Sequence, residues 1–352
     1  MELHGVDPQD CTPDSSLLDA LPADHMLRYP VVPKTVMINA WRPGMRWLSL
    51  DATYPPQIAR RLALLRDRPQ MVLGRLPGDE VRKAEIELRD SVMNALLADY
   101  PGHFRRDGDR VVSLLTGIAV DVGNRGADPL AAIALMASED MLLLMPRPAA
   151  DGAATYLLAA GALLFPNDWS LDSHFREPEP PETGAAHSAW AARRAASRRA
   201  ARLGKTPREI HDGRVAHYMA HFADRVDQYF ARMPAGSMSW RRNWGMRLTD
   251  ELFLHADLSV EVPESSADNW AEHGYLRSEH ETFTKLAGSG AVVFSIKTYL
   301  WKLSDLVREP SALAALLEAD RNLSPLMAEY RADSLPGFRA FLARHAPPAG
   351  LP

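Results

Sequence analysis

Residues 275–300 read Tyr-Leu-Arg-Ser-Glu-His-Glu-Thr-Phe-Thr-Lys-Leu-Ala-Gly-Ser-Gly-Ala-Val-Val-Phe-Ser-Ile-Lys-Thr-Tyr-Leu. Gly288-Ser289-Gly290 separates two runs that are rich in β-branched and aromatic residues, which is a typical hairpin signal. A dinucleotide-binding loop is the alternative, but that motif needs a helix after its glycines, and β-branched residues follow here. The pattern therefore predicts antiparallel strands over 275–286 and 291–300.

Further strands and helices are predicted on both sides of this hairpin. Strands are expected over 239–254, 141–145 and 154–165, the last two being joined by a turn. Apolar residues at three- and four-residue spacing predict helices over 55–97, after Asp128-Pro129, over 208–232, and from Ser304 and Ser324 onward.

This order of elements is typical of the α+β class. We expect an irregular segment over 1–40, a helical part over 41–135, a sheet core over 136–306 and C-terminal helices over 307–352. The Pro/Glu-rich and Ala/Arg-rich stretch 172–200 is expected to be a surface insertion in that core, because it offers little apolar area to bury.

Composition excludes several classes of function. The net charge of −5 on 352 residues provides no basic field for nucleic acid, and no apolar run approaches the ~20 residues that cross a membrane. The acidic, polar N-terminus is unlike a secretory signal, so a cytoplasmic protein is expected. Cys11 is the only cysteine, so the chain has neither an internal disulfide nor the ligands of an iron–sulfur cluster.

Three histidines lie in the predicted helix over 208–232. His217 and His221 are four residues apart and share a helix face, which suits either metal ligation or ordinary packing on an amphipathic helix. His211 follows Pro207 near the start of that helix.

Several stretches, taken in order, resemble the haem-dependent oxidative N-demethylases. The most extensive are Trp41-Arg-Pro-Gly-Met-Arg-Trp-Leu-Ser-Leu-Asp51 and Gly290-Ala-Val-Val-Phe-Ser-Ile-Lys-Thr-Tyr299. Shorter matches are Tyr54-Pro55, Glu139-Asp140, Leu164-Phe165-Pro166 with Trp169, Leu203-Gly204-Lys205, Ile210-His211, Arg242-Asn243-Trp244, and Leu276-Arg277 with Glu279.

The resemblance implies a PAS-like antiparallel sheet that holds haem b, with helices around it. It further implies O2-dependent oxidation of a small secondary amine to a smaller amine and formaldehyde. Electrons would come from a separate NAD(P)H-dependent flavin/iron–sulfur reductase, in agreement with the single cysteine.

Site residues follow from the resemblance and from the needs of the chemistry. His211 matches the position of the proximal haem ligand, with a capping or packing histidine as the alternative. Arg247, Arg277 and Lys297 are candidates for the haem propionates, because these anions require cations. Glu279 is a candidate base, Trp244 a π surface for the ammonium, and Tyr299 a polar group near oxygen. Each of these strand residues could instead be an ordinary surface residue.

Two departures from the family pattern bear on the assignment of His211 as the ligand: the insertion 172–200, and Asp212-Gly213-Arg214-Val215 after His211, where the family tends to have a Pro-containing turn. Near the sheet, Lys297 and His280-Glu281 stand where the family more often has Arg and Arg-Gln, which leaves the substrate open beyond a small secondary amine or a related N-methyl compound. The five arginines between Arg193 and Arg202 suit a solvated helix or a dock for an acidic electron-transfer partner.

Two other functions fit the same sequence. A PAS-like fold also serves as a haem or small-ligand sensor without catalysis, although no output domain is recognisable in the sequence. The second is a relative that has lost haem and acts as an interaction subunit. Haem occupancy separates this interaction subunit from the demethylase and the haem sensor.

Overall fold

The computed structural model describes residues 38–148 apart from 125, then 154–175, 204–211, 222–323 and 331–346, with isolated positions 6, 7, 17, 325 and 328. The helices are α1 Tyr54–Asp67, α2 Pro69–Val72, α3 Asp79–Asp99, α4 Pro129–Met136, α5 Pro207–His211, α6 Ala223–Arg232, α7 Ala267–His273, α8 Leu303–Leu306, α9 Pro310–Arg321 and α10 Leu335–His345. The strands are β1 Val6–Asp7, β2 Asn39–Ala40, β3 Leu73–Arg75, β4 Phe104–Asp107, β5 Arg110–Ser113, β6 Ala119–Asp121, β7 Asp140–Pro148, β8 Ala154–Ala162, β9 Asn167–Trp169, β10 Met238–Arg247, β11 Leu254–His255, β12 Tyr275–Lys285 and β13 Val292–Lys302.

The central sheet has the order β2-β10-β12-β13-β7-β8-β3 among the described residues, and each neighbouring pair is antiparallel. The predicted hairpin is confirmed as β12 and β13, which pair along their full length. Gly290 closes the turn at φ 68°, a conformation that glycine adopts at little cost. The α+β class is likewise confirmed.

Successive residues of β13 point to opposite faces of this sheet, as the pleat requires. We call the side of Val293, Ser295, Lys297 and Tyr299 the helix-covered face, because Val293 lies in the main core with residues of α1, α3 and α4. The C-terminal helices cover another part of the same side, where Met246 and Leu276 pack with α7, α8 and α10.

We call the side of Phe294, Ile296, Thr298 and Leu300 the open face. Helix α6 covers one part of it, where Phe230 packs with Leu144 and Phe283. Ile210 of α5 packs in a neighbouring cluster around Leu142, Leu158, Leu163 and Leu171. The middle of this face has less cover than the helix-covered face, as the exposure of β13 described below shows.

The structure differs from the predicted elements in several places. The part predicted as helical also contains β3 to β6, and the segment predicted as irregular contains β1 and β2. The N-cap of α3 is Gly78. Of the predicted helix over 208–232, α5 and α6 are described, whereas 212–221 lie outside the described residues with His217 and His221.

The start of the predicted surface insertion is part of the interior. Asp172, Ser173 and His174 are buried, so these first three residues of the predicted insertion do not lie on the surface. Residues 176–200, with the arginines at 193–199, lie outside the described residues, as does Arg202. No helix in the described ranges is both long and apolar enough to span a membrane.

Candidate functional site

The open face brings polar residues of three strands into one row. In the sheet register Asn243 of β10 lies opposite Glu279 of β12, which in turn lies opposite Thr298 of β13. Residues directly opposite in an antiparallel pair share a face, with Cβ atoms about 4.5–5.5 Å apart. These three side chains are therefore neighbours on the open face.

Apolar residues around this row are accessible although β13 is a central strand. Phe294, Ile296 and Leu300 are only half-buried, whereas Val293 and Lys297 on the other face are fully buried. On β10, a Cβ added to Gly245 would meet no atom within 4 Å. The middle of the open face therefore offers an apolar surface that a ligand can cover.

Glu279 is held from two sides and keeps acceptor capacity. Its Oε2 accepts a hydrogen bond from Asn243 Nδ2 at 3.0 Å, and its Oε1 accepts from Arg277 Nε at 3.3 Å. A carboxylate has about four lone-pair sites, so further donors can bind it. The side chain is 10% exposed, which makes it a nearly buried anion that a cationic ligand can reach.

Arg277 is fixed in the protein interior by backbone carbonyls. Its Nη2 donates to Phe165 O at 2.5 Å, and its Nη1 donates to Leu252 O at 3.1 Å. Burial lowers the pKa of the guanidinium, and Glu279 raises it in part. Arginine nevertheless stays protonated, so Arg277 places a fixed positive charge beside Glu279.

A second carboxylate lies two residues along the same strand. Glu281 is buried and accepts a hydrogen bond from Arg241 Nε. Burial raises the pKa of Glu281, whereas the charge of Arg241 lowers it. The open face therefore carries two buried carboxylates, each of them paired with an arginine.

Thr298 presents an unusual hydroxyl to this face. Its side chain is fully buried, and its Oγ1 has no hydrogen-bond partner among the residues that the structure describes. The backbone is held from the other side of the sheet, where Gln57 Nε2 donates to Thr298 O at 2.8 Å. A buried polar group without a partner is uncommon and calls for an explanation.

His211 lies at the end of α5, whose neighbouring residue Ile210 packs against the open-face cluster. Its Nδ1 lies 2.7 Å from Pro207 O. A carbonyl oxygen can only accept, so Nδ1 carries the ring proton, and in the neutral ring Nε2 then carries the lone pair. Arg208 forms ion pairs with Asp224 and Asp227 of α6, which fix the orientation of α5.

Arg247 lies on the same face at one end of β10. Its Nη2 donates to Asn167 Oδ1 at 2.6 Å and to Asp168 Oδ2 at 2.7 Å. The guanidinium is half-buried, and five donors leave it capacity for another anion. Asp168 has φ 57°, so the backbone at this arginine partner adopts the left-handed region that non-glycine residues rarely occupy.

Lys297 and Tyr299 lie on the helix-covered face, away from Glu279. Lys297 is fully buried, and its Nζ donates to Gln57 Oε1 at 2.7 Å and Ser138 Oγ at 2.8 Å. Tyr299 OH donates to Asp51 Oδ2 at 2.9 Å. Strand alternation directs both side chains into the helix layer, so they do not share a face with Glu279. The roles of Lys297 with a propionate and of Tyr299 near oxygen stay predictions.

Trp244 also faces away from the row on β10. It packs against the C-terminal cluster, and the Arg331 guanidinium lies 4.4 Å from its ring centroid. Arg331 Nη2 also donates to Trp244 O at 3.1 Å. The ring therefore already has a cation over one side and lies on the opposite face of the sheet from Glu279. Its role as a π surface for the ammonium stays a prediction.

Sequence reasoning missed two residues of the row and a separate cluster. Asn243 and Thr298 lie inside stretches that carried the family resemblance, but nothing in the sequence alone indicated which residues lie opposite them.

The separate cluster consists of Asp172, His255 and Asp257. His255 Nε2 lies 2.9 Å from Asp172 Oδ1, and Asp257 completes a set of possible metal-ligand atoms within 4.8 Å of one another. Asp257 N donates to His255 Nδ1 at 3.2 Å, so protein groups already contact both ring nitrogens.

Haem makes three demands on a site. A porphyrin ring needs apolar surface, its propionates need cations, and its iron takes an imidazole nitrogen as ligand. On the open face, Phe294, Ile296 and Leu300 offer apolar surface and Arg247 a half-buried cation, whereas Arg277 is fully buried and donates to Glu279 and to backbone carbonyls.

A comparison with protein families identifies the relationship. Residues 42–178 and 190–336 match the family described as haem-dependent oxidative N-demethylase, alpha subunit-like. The chain belongs to this family. The haem-dependent oxidative N-demethylase match leaves out 179–189, which fall inside the predicted insertion. The family name points to an oxygenase-type enzyme that depends on haem.

Proposed function

We propose that this protein is a haem-dependent monooxygenase that oxidatively demethylates a small secondary amine or a related N-methyl compound. The observation that carries the proposal is the half-buried apolar strip Phe294, Ile296 and Leu300 on a central strand, beside the buried carboxylate of Glu279. Such an arrangement suits a flat apolar cofactor with a cationic substrate next to it. In this proposal the sheet is the PAS-like core that holds haem b.

His211 is the residue that we propose as the iron ligand. Its Nδ1–H bond to Pro207 O supports this role, because metal-binding histidines usually donate their other ring proton to a carbonyl or carboxylate. Arg247, which is half-buried at one end of this face, would pair with a propionate, whereas Arg277 is fully buried and already bonded to Glu279 and to backbone carbonyls. When bound, haem supplies the activation of O2 that no amino-acid side chain provides.

Glu279 would bind the substrate and remove its proton. A small aliphatic amine is a cation at neutral pH, and nitrogen must lose a proton before oxidation at the amine. The carboxylate attracts the ammonium and accepts that proton, while Asn243 Nδ2 at 3.0 Å keeps the group in place. The buried position of Glu279 strengthens the attraction by excluding water.

Electrons would reach the site from a separate NAD(P)H-dependent flavin/iron–sulfur reductase. The single cysteine of the chain leaves no ligand set for an iron–sulfur relay of its own. We propose the cytoplasm as the compartment, because NAD(P)H and its reductases are available there.

Substitution of His211 tests the cofactor part of the proposal. His211→Ala is expected to lose most of the bound haem, measured as the Soret absorbance of protein purified with added haem. His217→Ala and His221→Ala serve as controls and are expected to keep it. Full haem with an unchanged Soret position in His211→Ala would show that another residue ligates the iron.

Formaldehyde release tests the reaction. With NADPH alone, purified protein and dimethylamine should give no formaldehyde, whereas addition of a reductase or a chemical reductant in air should give steady release. Release without any electron donor contradicts the proposed electron path. Stable haem binding with no release under any donor indicates a sensor instead.

A further inference from the structure

Three glycines lie inside the strands that the structure describes, and packing explains two of them. A Cβ added to Gly74 of β3 would overlap the ring of Phe175. A Cβ added to Gly161 of β8 would lie 2.8 Å from a methyl carbon of Leu142, which is too close for a real contact. Protein neighbours therefore require glycine at these two positions.

Gly245 of β10 is different, because nothing in the protein requires a glycine there. Its φ is not positive, and β10 pairs with β12 without a bulge from Met238 to Arg247. A Cβ at this position would meet no atom within 4 Å. Glycine inside a strand costs stability, and it marks a bulge, a bend or the close approach of another group to the backbone. The unbroken pairing leaves the approach of a group from outside the protein as the explanation.

Gly245 lies on the open face, in a gap between two polar side chains. Asn243 and Arg247 are two residues away on either side, and strand alternation gives all three positions the same face. Arg277, directly opposite on β12, is fully buried, so the cover of this face ends between the two strands. Among the described residues, β2 pairs only with the start of β10. The gap therefore opens towards solvent at the edge of the sheet.

One nitrogen of Arg247 keeps donor capacity beside this gap. Its Nε and Nη2 donate to Asn167 Oδ1, and Nη2 also donates to Asp168 Oδ2 at 2.7 Å. Within the described residues, Nη1 has a single long bond of 3.4 Å to Met246 O. That nitrogen has two N–H groups, so one of them is left for an acceptor, and a carboxylate is the acceptor that a guanidinium binds best. A carboxylate bound to Nη1 would thus be a neighbour of the gap.

We propose that the space over Gly245 holds one propionate arm of haem, whose carboxylate accepts a hydrogen bond from Arg247 Nη1. The inference rests on the proposed function, which places the porphyrin ring on the open face. The arm joins the apolar ring to its carboxylate, and any side chain at position 245 would occupy the space of the arm. Because the gap lies at the edge of the sheet, the charged end of the arm keeps access to water.

Haem titration followed in the Soret region tests the space over Gly245. Gly245→Val should weaken haem binding about tenfold or more, because the added side chain overlaps the arm, and Gly245→Ala should weaken it less. Gly102→Ala is the matched control. Gly102, between α3 and β4, also has open space around an added Cβ and no positive φ, so this variant should bind haem like wild type.

The dimethyl ester of haem tests the carboxylate. Arg247→Gln should weaken binding of haem about tenfold but hardly affect the ester, which offers no anion. In protein that already carries Gly245→Val, the further change Arg247→Gln should cost much less than in wild type. A displaced arm no longer reaches the arginine, so the effects of the two substitutions should not add.

Thermal unfolding of the haem-free protein separates a ligand contact from a structural requirement. Gly245→Ala should unfold at or above the wild-type temperature, because the space is open and alanine restricts the unfolded chain. Gly161→Ala is the contrasting control and should unfold at a lower temperature, because its Cβ would press against Leu142. A clear fall in the unfolding temperature of Gly245→Ala overturns the inference.

The remaining outcomes also decide the inference. Wild-type haem affinity in Gly245→Val overturns it while the proposed function stands, and fully additive effects of Gly245→Val and Arg247→Gln do the same. If wild type binds no haem, the inference and the proposed function fail together. If the haem-binding pattern holds but no formaldehyde is released with any electron donor, the inference stands and the proposed reaction fails.

Discussion

The two faces of the central sheet use the same strands for opposite purposes. On the helix-covered face, Lys297 is fully buried and bonded within the protein, and Arg61 of α1 forms a fully buried ion pair with Asp140 at the start of β7. On the open face, Glu279 retains acceptor capacity and Thr298 lacks a partner within the described residues. A satisfied buried network stabilises the fold, whereas a buried polar group without a partner costs free energy.

The largest expected effect of this contrast concerns Asp140. Its Oδ1 accepts from Arg61 Nη1 at 2.8 Å and Leu164 N at 2.8 Å, and its Oδ2 accepts from Phe165 N at 2.9 Å. Asp140→Ala leaves a buried guanidinium and two amides short of an acceptor, so the free energy of unfolding should fall by about 3–5 kcal/mol. Urea denaturation measures the loss.

Asp67 provides the control for that experiment. It pairs with Arg66 at 2.8 Å on the surface, with both side chains more than half exposed. Asp67→Ala should change stability by less than about 1 kcal/mol. A similar small change for Asp140→Ala would mean that the buried network does not stabilise the fold as argued.

The second prediction tests the open face. Glu279→Gln removes the proposed base but keeps an acceptor for Asn243, so kcat/KM for demethylation should fall about 100-fold with little change in stability. Glu281→Gln, two residues along the same face, should reduce kcat/KM far less. Equal losses in the two variants would mean that general negative charge on this face matters, and not a base at position 279.

The third prediction compares apolar side chains of a single strand. Val293 is fully buried in the helix-covered core, and Ile296 is half-buried on the open face. Val293→Ala should lower the free energy of unfolding by about 2 kcal/mol, and Ile296→Ala by about half as much, although more atoms are removed. Ile296→Ala should weaken haem binding more than Val293→Ala does. A haem titration followed in the Soret region measures the affinity.

The smallest effect concerns Glu139, which lies buried on the helix-covered side and accepts Ser49 N at 2.7 Å. Burial raises its pKa, and the charge of Lys297 lowers it in part. The folded state therefore keeps the proton to higher pH than the unfolded chain. Stability is lost as pH rises from the ordinary glutamate pKa of about 4.3 through the raised pKa.

Glu139→Gln has no such titration. Between about pH 4 and about pH 8, the free energy of unfolding of the wild type should fall relative to that of Glu139→Gln. The fall should be about 1.4 kcal/mol for each unit by which folding raises the pKa. A trend of opposite sign for Glu139→Gln would show that the folded protein prefers this carboxylate charged.

Sequence patterns predicted the long strands well. β-Branched and aromatic residues recur along the eleven residues of β12 and of β13, and β7 and β8 contain continuous apolar runs. The strands β3 to β6 contain only three or four residues, too few for alternation to stand out.

The grouping of the site residues depended on information that the sequence lacks. Alternation alone places Lys297 and Tyr299 together, and likewise Arg277 and Glu279. Whether the two pairs share a face depends on the register of the β12–β13 hairpin, and a one-residue shift would reverse the answer. The observed register places Glu279 opposite Thr298. Arg277 and Glu279 therefore lie on the open face, and Lys297 and Tyr299 lie on the helix-covered face.

Both ends of the atypical stretch between β9 and α5 are fastened to the interior. His174 is buried on the near side, and on the far side Lys205 pairs with Leu158 at a β-bridge. The entropy of closing a loop grows only with the logarithm of its length. A fluorescent reporter or an affinity tag inserted within residues 179–189, which the family match omits, should therefore add little to the entropy cost of closing this loop.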